Sequence, residues 1–195
     1  MRAQAHTLEA FAAAVILIAS LLFAMQVTAV TPLSASTSSQ HIENQQRAAA
    51  EDVLRAADGA GELEETVLYW NDAEGTFHGL EGEDDDHYAP GELDTDLGDR
   101  LTGAFSDRGV AYNLHVDHVD GEGSVERQRI VHAGEPSDHA VSATRLRTLY
   151  GEDPFYDEGG PTDDELGETD EFYVENTNEE SFYAVVEVEV VVWRM

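Results

Sequence analysis

The sequence of 195 residues contains no cysteine and no lysine. Without cysteine the chain can form neither a disulfide framework nor a thiolate metal site. Without lysine its ten basic residues are all arginines, and 41 acidic residues oppose them to give a formal net charge of −31. A surface of this sign argues against nucleic acid and anionic lipid headgroups as partners, because both are themselves polyanionic.

The negative charge is concentrated after residue 30, since Arg2 and Glu9 are the only arginine and acid before it. Self-repulsion of this size opposes a compact state in dilute buffer, but in molar salt the screening length falls to about 3 Å. The composition therefore resembles that of proteins from extreme halophiles, and a halophilic archaeon is the expected source. High charge also occurs in disordered chains, but 42% hydrophobic residues and clear strand patterns favour a fold.

Charge is also missing from one long stretch near the N-terminus. After Glu9 the next acid or arginine is Glu43, and residues 10–30 are almost entirely apolar. Their polar members are Ser20, Gln26 and Thr28. Twenty-one residues form a helix of about 31 Å at ~1.5 Å per residue, which matches a bilayer hydrocarbon core of roughly 30 Å. The stretch predicts a transmembrane helix that contacts membrane lipid. A secretory signal peptide, cleaved near residue 30, is the alternative.

Three parts of the chain are predicted. Residues 1–31 form a cytoplasmic leader and transmembrane helix, residues 32–59 an extracellular helical stalk, and residues 60–195 an acidic extracellular domain. Arg2 before the apolar stretch and the acids after it favour this orientation at the cell membrane. One helix is expected over residues 6–58, with a kink near Pro32 and a stop at Asp58-Gly59.

The first residues carry a recognisable pattern in Arg2, Ala3, Gln4 and Glu9. It resembles the processing region of archaeal type IV pilins and pilin-like proteins. In that family a prepilin-type peptidase clips a very short basic leader on the cytoplasmic side of the hydrophobic helix. The resemblance implies cleavage after Ala3 or after Gln4. Only the second cut places Glu9 at the fifth mature position, the usual place in the family, and Ala3 stands where glycine is commonest.

Glu9 has two interpretations. The resemblance implies that it pairs with the N-terminal amine of a neighbouring pilin-like subunit during assembly. An ionisable group in a membrane helix is often functional, but Glu9 could instead lie at the interface level, where its energetic cost is small. The sequence leaves both interpretations open.

Beyond the helix, alternation of apolar and polar residues predicts a mostly antiparallel sheet, and hence an α+β fold with the long helix packed on it. Strands are expected over residues 62–71, 76–80, 110–119, 124–133, 140–150 and 182–194. One short inserted helix is expected over residues 94–108. Residues 81–86 and 151–180, which are rich in acids, are expected to be loops.

The sequence offers weak signals for site chemistry. The eight histidines have no paired metal-ligand spacing, and His115 and His118 should face opposite sides of one strand. Asp94 to Asp99 imitates part of a calcium-binding loop, but its glycine, Gly98, comes one position early. Four arginines lie on two predicted strands: Arg127, Arg129, Arg145 and Arg147. Their surroundings favour pairing with acids across strands over an anion site.

No cofactor is predicted, and the motifs of serine hydrolases and phosphate-binding loops are absent from the sequence. The sequence therefore predicts a non-enzymatic, pilin-like surface protein, as a minor subunit or accessory of a type IV pilus-like filament. Its expected partners are other pilin-like subunits and a prepilin-type peptidase. The alternative is a single-pass, membrane-anchored extracellular binding domain that does not polymerise.

Overall fold

A computed structural model of the protein describes residues 2–80, 86–169, 171–176 and 181–194. Within the first helix it describes side chains for residues 9–25 and 40–60. The chain separates into two compact units, Met1–Ile42 and Glu43–Met195. The functional boundaries expected at residues 31 and 59 remain predictions.

The first element, α1, spans Arg2–Ala60, so the helix expected over residues 6–58 is present. The kink expected at Pro32 falls among residues whose side chains lie outside the described part. The last turns of α1 belong to the second unit, where Ala50, Leu54 and Ala57 are fully buried in the core.

The prediction of a transmembrane helix is wrong. Among the described residues, no helix combines the length and apolarity needed to cross a bilayer. The apolar run lies between Glu9 and Gln26, and Ser20 is its one polar residue. Its 16 residues make about 24 Å of helix, which is shorter than the roughly 30 Å hydrocarbon core. The predicted stretch of 21 residues was longer because it also included the polar residues Gln26 and Thr28.

The second unit is α+β with antiparallel sheets, which confirms the coarse fold class. After α1, the described residues of this unit form helices α2 (Glu62–Val67) and α3 (Asp96–Ala104), and eight strands. The strands are β1 (Trp70–Asn71), β2 (Thr76–Phe77), β3 (Val110–Val119), β4 (Val125–Val131), β5 (Val141–Tyr150), β6 (Pro154–Asp157), β7 (Gly160–Glu165) and β8 (Phe182–Arg194). Short 3-10 helices cover Ser106–Arg108 and Leu166–Glu168.

The main sheet has the order β4-β3-β8-β5, with the C-terminal strand β8 paired to β3 and to β5. Valines at alternate positions of β8 are buried, and the residues between them are more exposed. The buried ones are Val186, Val188, Val190 and Val192. Because strand side chains alternate between faces, Glu187 and Glu189 lie on the opposite face, as the sequence predicted.

Of the strand predicted over residues 62–71, only Trp70–Asn71 is a strand, because Glu62–Val67 forms helix α2. Gly61, with φ of 84°, ends α1, and α2 begins at once with acids in its first turn. Leu63, Thr66 and Val67 are all buried, and this i, i+3, i+4 spacing is that of a helix rather than a strand. The hydroxyl groups of Thr66 and Thr95 meet at 3.0 Å and join α2 to the cap of α3.

Residues 151–180 are not merely the loop that the sequence predicted. They contain the hairpin β6–β7 and the buried apolar side chains of Phe155, Leu166, Phe172 and Val174. The hydroxyl of Tyr183 donates to the carbonyl of Val174 at 3.0 Å, which fixes this segment against β8. Most of the described acids of the segment are exposed, and their density hides the few core positions.

Candidate functional site

The apolar part of α1 is the largest candidate surface of the first unit. Every residue from 9 to 25 is exposed, including Phe11 at 72%, Leu17 at 69% and Phe23 at 69%. Consecutive helical residues are rotated by about 100°, so these side chains project on every side of the helix. A helix that is apolar all round is normally buried in a larger assembly. The described residues of the chain leave this one uncovered.

The residues predicted for processing lie at the start of the same helix. The backbone of Arg2, Ala3 and Gln4 is helical, and their side chains lie outside the described part. Glu9 is exposed and directly precedes the apolar run. Their roles in processing and assembly remain predictions.

In the second unit, two of the arginines that raised the question of an anion site are paired with acids. Arg127 on β4 donates to both carboxylate oxygens of Asp117 on β3, at 2.7 and 2.6 Å, and to Glu189 on β8 at 2.8 Å. The hydrogen bond to Asp117 raises the pKa of the Arg127 guanidinium. Arg147 pairs with Glu64 of α2. For these two residues the predicted pairing with acids is confirmed, although Arg147 pairs with a helix rather than a strand.

A third ion pair escaped the sequence analysis. Arg100 of α3 binds both carboxylate oxygens of Glu62 in α2, and the side chain of Glu62 is only 8% exposed. Such a bidentate arginine–carboxylate pair is among the stronger hydrogen-bonded contacts in proteins. No local pattern could have revealed it, because 38 residues separate the partners.

The histidines whose side chains the structure describes do not share a common centre, although the rings of His87 and His132 lie 5.2 Å apart. His115 and His118 are both buried. His118 packs on the ring of Tyr173 at 6.0 Å, whereas His115 lies opposite Glu189 on the other face, as expected for residues three apart in a strand. Among the described residues, no three histidine or acidic side chains are placed to hold a metal ion.

Burial gives His115 a testable pH dependence. Burial, followed by the nearby Arg127, lowers its pKa below the usual 6.5, while Glu189 and Asp117 act in the opposite direction. Below about pH 6.5 the unfolded chain takes up a proton at this residue that the folded chain does not. The free energy of unfolding should therefore fall as the pH is lowered from 6.5, by at most about 1.4 kcal/mol per pH unit from this residue.

The measurement is urea unfolding of wild type and His115→Gln between pH 7.5 and 5, at constant molar salt. We expect the slope of unfolding free energy against pH to be smaller in His115→Gln. His41→Gln is the matched control, because His41 is exposed. Equal slopes in wild type and His115→Gln would contradict the assignment.

The residues that imitated a calcium loop begin a helix instead. Thr95 caps α3 by accepting a hydrogen bond from the Gly98 backbone at 3.2 Å, and Asp96 and Asp99 lie in the first turn. A Cβ at Gly98 would lie 2.2 Å from the carbonyl oxygen of Leu93. Close packing on Leu93 therefore explains why residue 98 is a glycine.

Comparison with known proteins places the chain in one family. No curated protein and no solved structure matches it. The model described as "Family of unknown function (DUF7288)" matches residues 2–192. The match includes both the apolar helix and the α+β unit, and it covers nearly the whole chain. The chain therefore belongs to the DUF7288 family of unknown function.

Proposed function

We propose that the protein is a non-enzymatic, pilin-like surface protein that serves as a minor subunit or accessory of a type IV pilus-like filament. The observation that supports this function is the all-round exposure of the apolar run of α1. In the proposed filament, this apolar run packs against the same kind of helix in other pilin-like subunits.

The distribution of apolar side chains favours several neighbours over one. Packed helices lie 8–10 Å apart and bury one stripe each, so a single partner would leave most of the run exposed. Val15, Ile18 and Leu22 lie on one side of the helix, and Ile16 and Phe23 on another. All five are at least 50% exposed. A helical filament surrounds each helix with several copies and can bury all of these side chains.

The acidic second unit suits assembly in concentrated salt. The formal net charge of −31 makes subunits repel one another at low ionic strength. Molar salt reduces the range of that repulsion to about 3 Å, so the helices can associate without a change in the second unit.

Glu9 and the residues before it have a role in processing and assembly under this proposal. A prepilin-type peptidase would remove Met1 to Ala3, or Met1 to Gln4, and expose a new N-terminal amine. Glu9 of one subunit would then pair with that amine of a neighbour. The family resemblance supports this step, and the position of Glu9 at the start of the apolar run is compatible with it.

The test is the mass of the N-terminal peptide of the protein isolated from its native cells. We expect a peptide that begins at Gln4 or at Ala5. A peptide that retains Arg2 would contradict processing and favour an extracellular binding domain that does not polymerise. A chain that begins beyond residue 30 would overturn the proposal, because it would no longer carry the apolar helix.

A further inference from the structure

The second unit contains a cleft of about 530 Å³ that the proposed filament function does not use. It lies beside the hairpin β1–β2, the segment before α3 and the turn between β6 and β7. The cleft is lined by Tyr69, His78, Gly79, Leu80, His87, Tyr88, Glu92, Asp94 and Glu158. Its volume falls within the range of about 300–1,000 Å³ that is usual for sites of small molecules.

The charged residues that line the cleft are all of one sign. Its carboxylates belong to Glu92, Asp94 and Glu158, and none of the described residues that line it is an arginine. One oxygen of Glu92 accepts a hydrogen bond from the backbone of Ala89 at 3.0 Å, which orients the group. Asp94 and Glu158 have no hydrogen bond or ion pair with the part of the chain that the structure describes. Other acids of the unit, such as Glu62, are paired with arginine.

A buried tyrosine adds an observation that does not depend on these acids. Tyr69 is only 3% exposed, and its hydroxyl has no hydrogen-bond partner among the described residues. The second tyrosine of the cleft differs, because the hydroxyl of Tyr88 donates to the carbonyl of His78. The Tyr69 hydroxyl therefore has an unused donor and acceptor at the wall of the cleft.

The electrostatic environment of Tyr69 links it to the same carboxylates. Burial, followed by the charges of Asp94 and Glu158, raises its pKa to about 12. The phenol therefore stays protonated at neutral pH and presents a neutral oxygen. Its ring also contacts the ring of His78, with 5.0 Å between centroids, so aromatic surface lies beside the carboxylates.

Carboxylates, aromatic faces and a hydroxyl acceptor together favour an organic cation. Ammonium groups donate to carboxylate and hydroxyl oxygens and are attracted to aromatic faces. A bare metal ion fits less well, because no three acidic or histidine side chains of the described residues are placed around a common point. The cleft is also far larger than one ion needs.

From this arrangement we infer that the cleft binds a small aliphatic diamine, with one ammonium group held by Asp94 and Glu158 and hydrogen-bonded to the hydroxyl of Tyr69. Glu92 is the acceptor for the second ammonium group. Such a site would let the acidic unit recognise a small cation selectively in a salty medium, where diffuse charge is screened.

The experiment is calorimetric titration of the full chain with butane-1,4-diamine in constant molar salt. Butane-1,4-diol is the uncharged control ligand, and calcium chloride tests for a metal site. We expect saturable binding of the diamine and no binding of the diol. Binding of the diol with equal affinity, binding of calcium alone, or no binding of the diamine at millimolar concentration would overturn the inference.

Variants then locate the site. Tyr69→Phe removes the hydroxyl but keeps the ring, and Asp94→Asn removes one charge. Each should weaken diamine binding about tenfold, the usual loss for a hydrogen bond to a charged group. Asp107→Asn makes the same charge change outside the cleft and should bind like wild type. Equal losses in Asp94→Asn and Asp107→Asn would show diffuse attraction only and would overturn the assigned site.

The result of the diamine titration is independent of the proposed filament function. Binding is read from a titration of the second unit's cleft, whereas filament function is read from N-terminal processing and self-association. The circular dichroism spectrum of Tyr69→Phe should match that of wild type, because its hydroxyl bonds to none of the described residues. A changed spectrum would contradict the description of this hydroxyl as unused.

Discussion

Replacement of Leu17 by glutamate should convert the full-length chain from an assembled form into a monomer. Leu17 lies in the middle of the apolar run and is 69% exposed, so in an assembly its side chain would lie between helices. Burial of a leucine contributes about 1.5–3 kcal/mol, and an unpaired buried carboxylate costs considerably more than a polar group in the same place. Every subunit carries the substitution, so the loss is repeated at each contact.

The measurement is the molar mass of wild type and Leu17→Glu by light scattering in molar salt, with electron microscopy of the same samples. Leu17→Met conserves volume and apolarity and should assemble like wild type. Gln45→Glu adds the same charge at an exposed position of α1 in the second unit and should also leave assembly unchanged. Assembly of Leu17→Glu, or a monomeric wild type, would contradict the proposed function.

Replacement of Phe172 by alanine should produce the largest loss of stability among single substitutions in the second unit. The Phe172 ring contacts four other rings, with centroid distances of 5.6 Å to Trp70, 5.5 Å to Phe155, 4.4 Å to Tyr173 and 6.3 Å to Tyr183. Truncation of a buried phenylalanine costs about 3–5 kcal/mol. Since whole domains are stable by only about 5–15 kcal/mol, the variant should be close to unfolding.

Urea unfolding at constant molar salt measures the effect, and the transition midpoint is the quantity to compare. Phe172→Leu keeps most of the apolar volume and should lose clearly less stability than Phe172→Ala. If residues 151–180 were only a surface loop, Phe172→Ala would unfold at the same urea concentration as wild type. That result would contradict the placement of this ring in the core.

Regular alternation in the sequence predicted the strands that form the centre of the main sheet. Strand β3 spans Val110–Val119 and β8 spans Phe182–Arg194, close to the bounds that the sequence suggested. Both strands are long and alternate without interruption, so a two-residue period is unambiguous. The sequence also predicted one long helix over residues 6–58, with a kink near Pro32, and α1 spans Arg2–Ala60.

Short or mixed segments were decided by tertiary contacts. The buried stripe of α1 contains Ala50, Leu54 and Ala57, whereas Ala49 and Ala56 are exposed. Alanines occur on both sides of this helix, so only packing around Leu54 selects one stripe. The six residues of α2 form a helix because Leu63 and Val67 must reach the core together.

The sequence by itself determined the acidic, cysteine-free and lysine-free character of the chain, the apolar run of α1 and the central strands. These depend on composition and on regular spacing, which local physical chemistry is sufficient to interpret. Tertiary structure decided the partners of Arg127, Arg147 and Arg100, the core position of Phe172 and the cleft beside Tyr69. Each of these depends on residues that are distant in sequence, and among 41 acids only the fold determines which carboxylates are paired and which remain unpaired in the cleft.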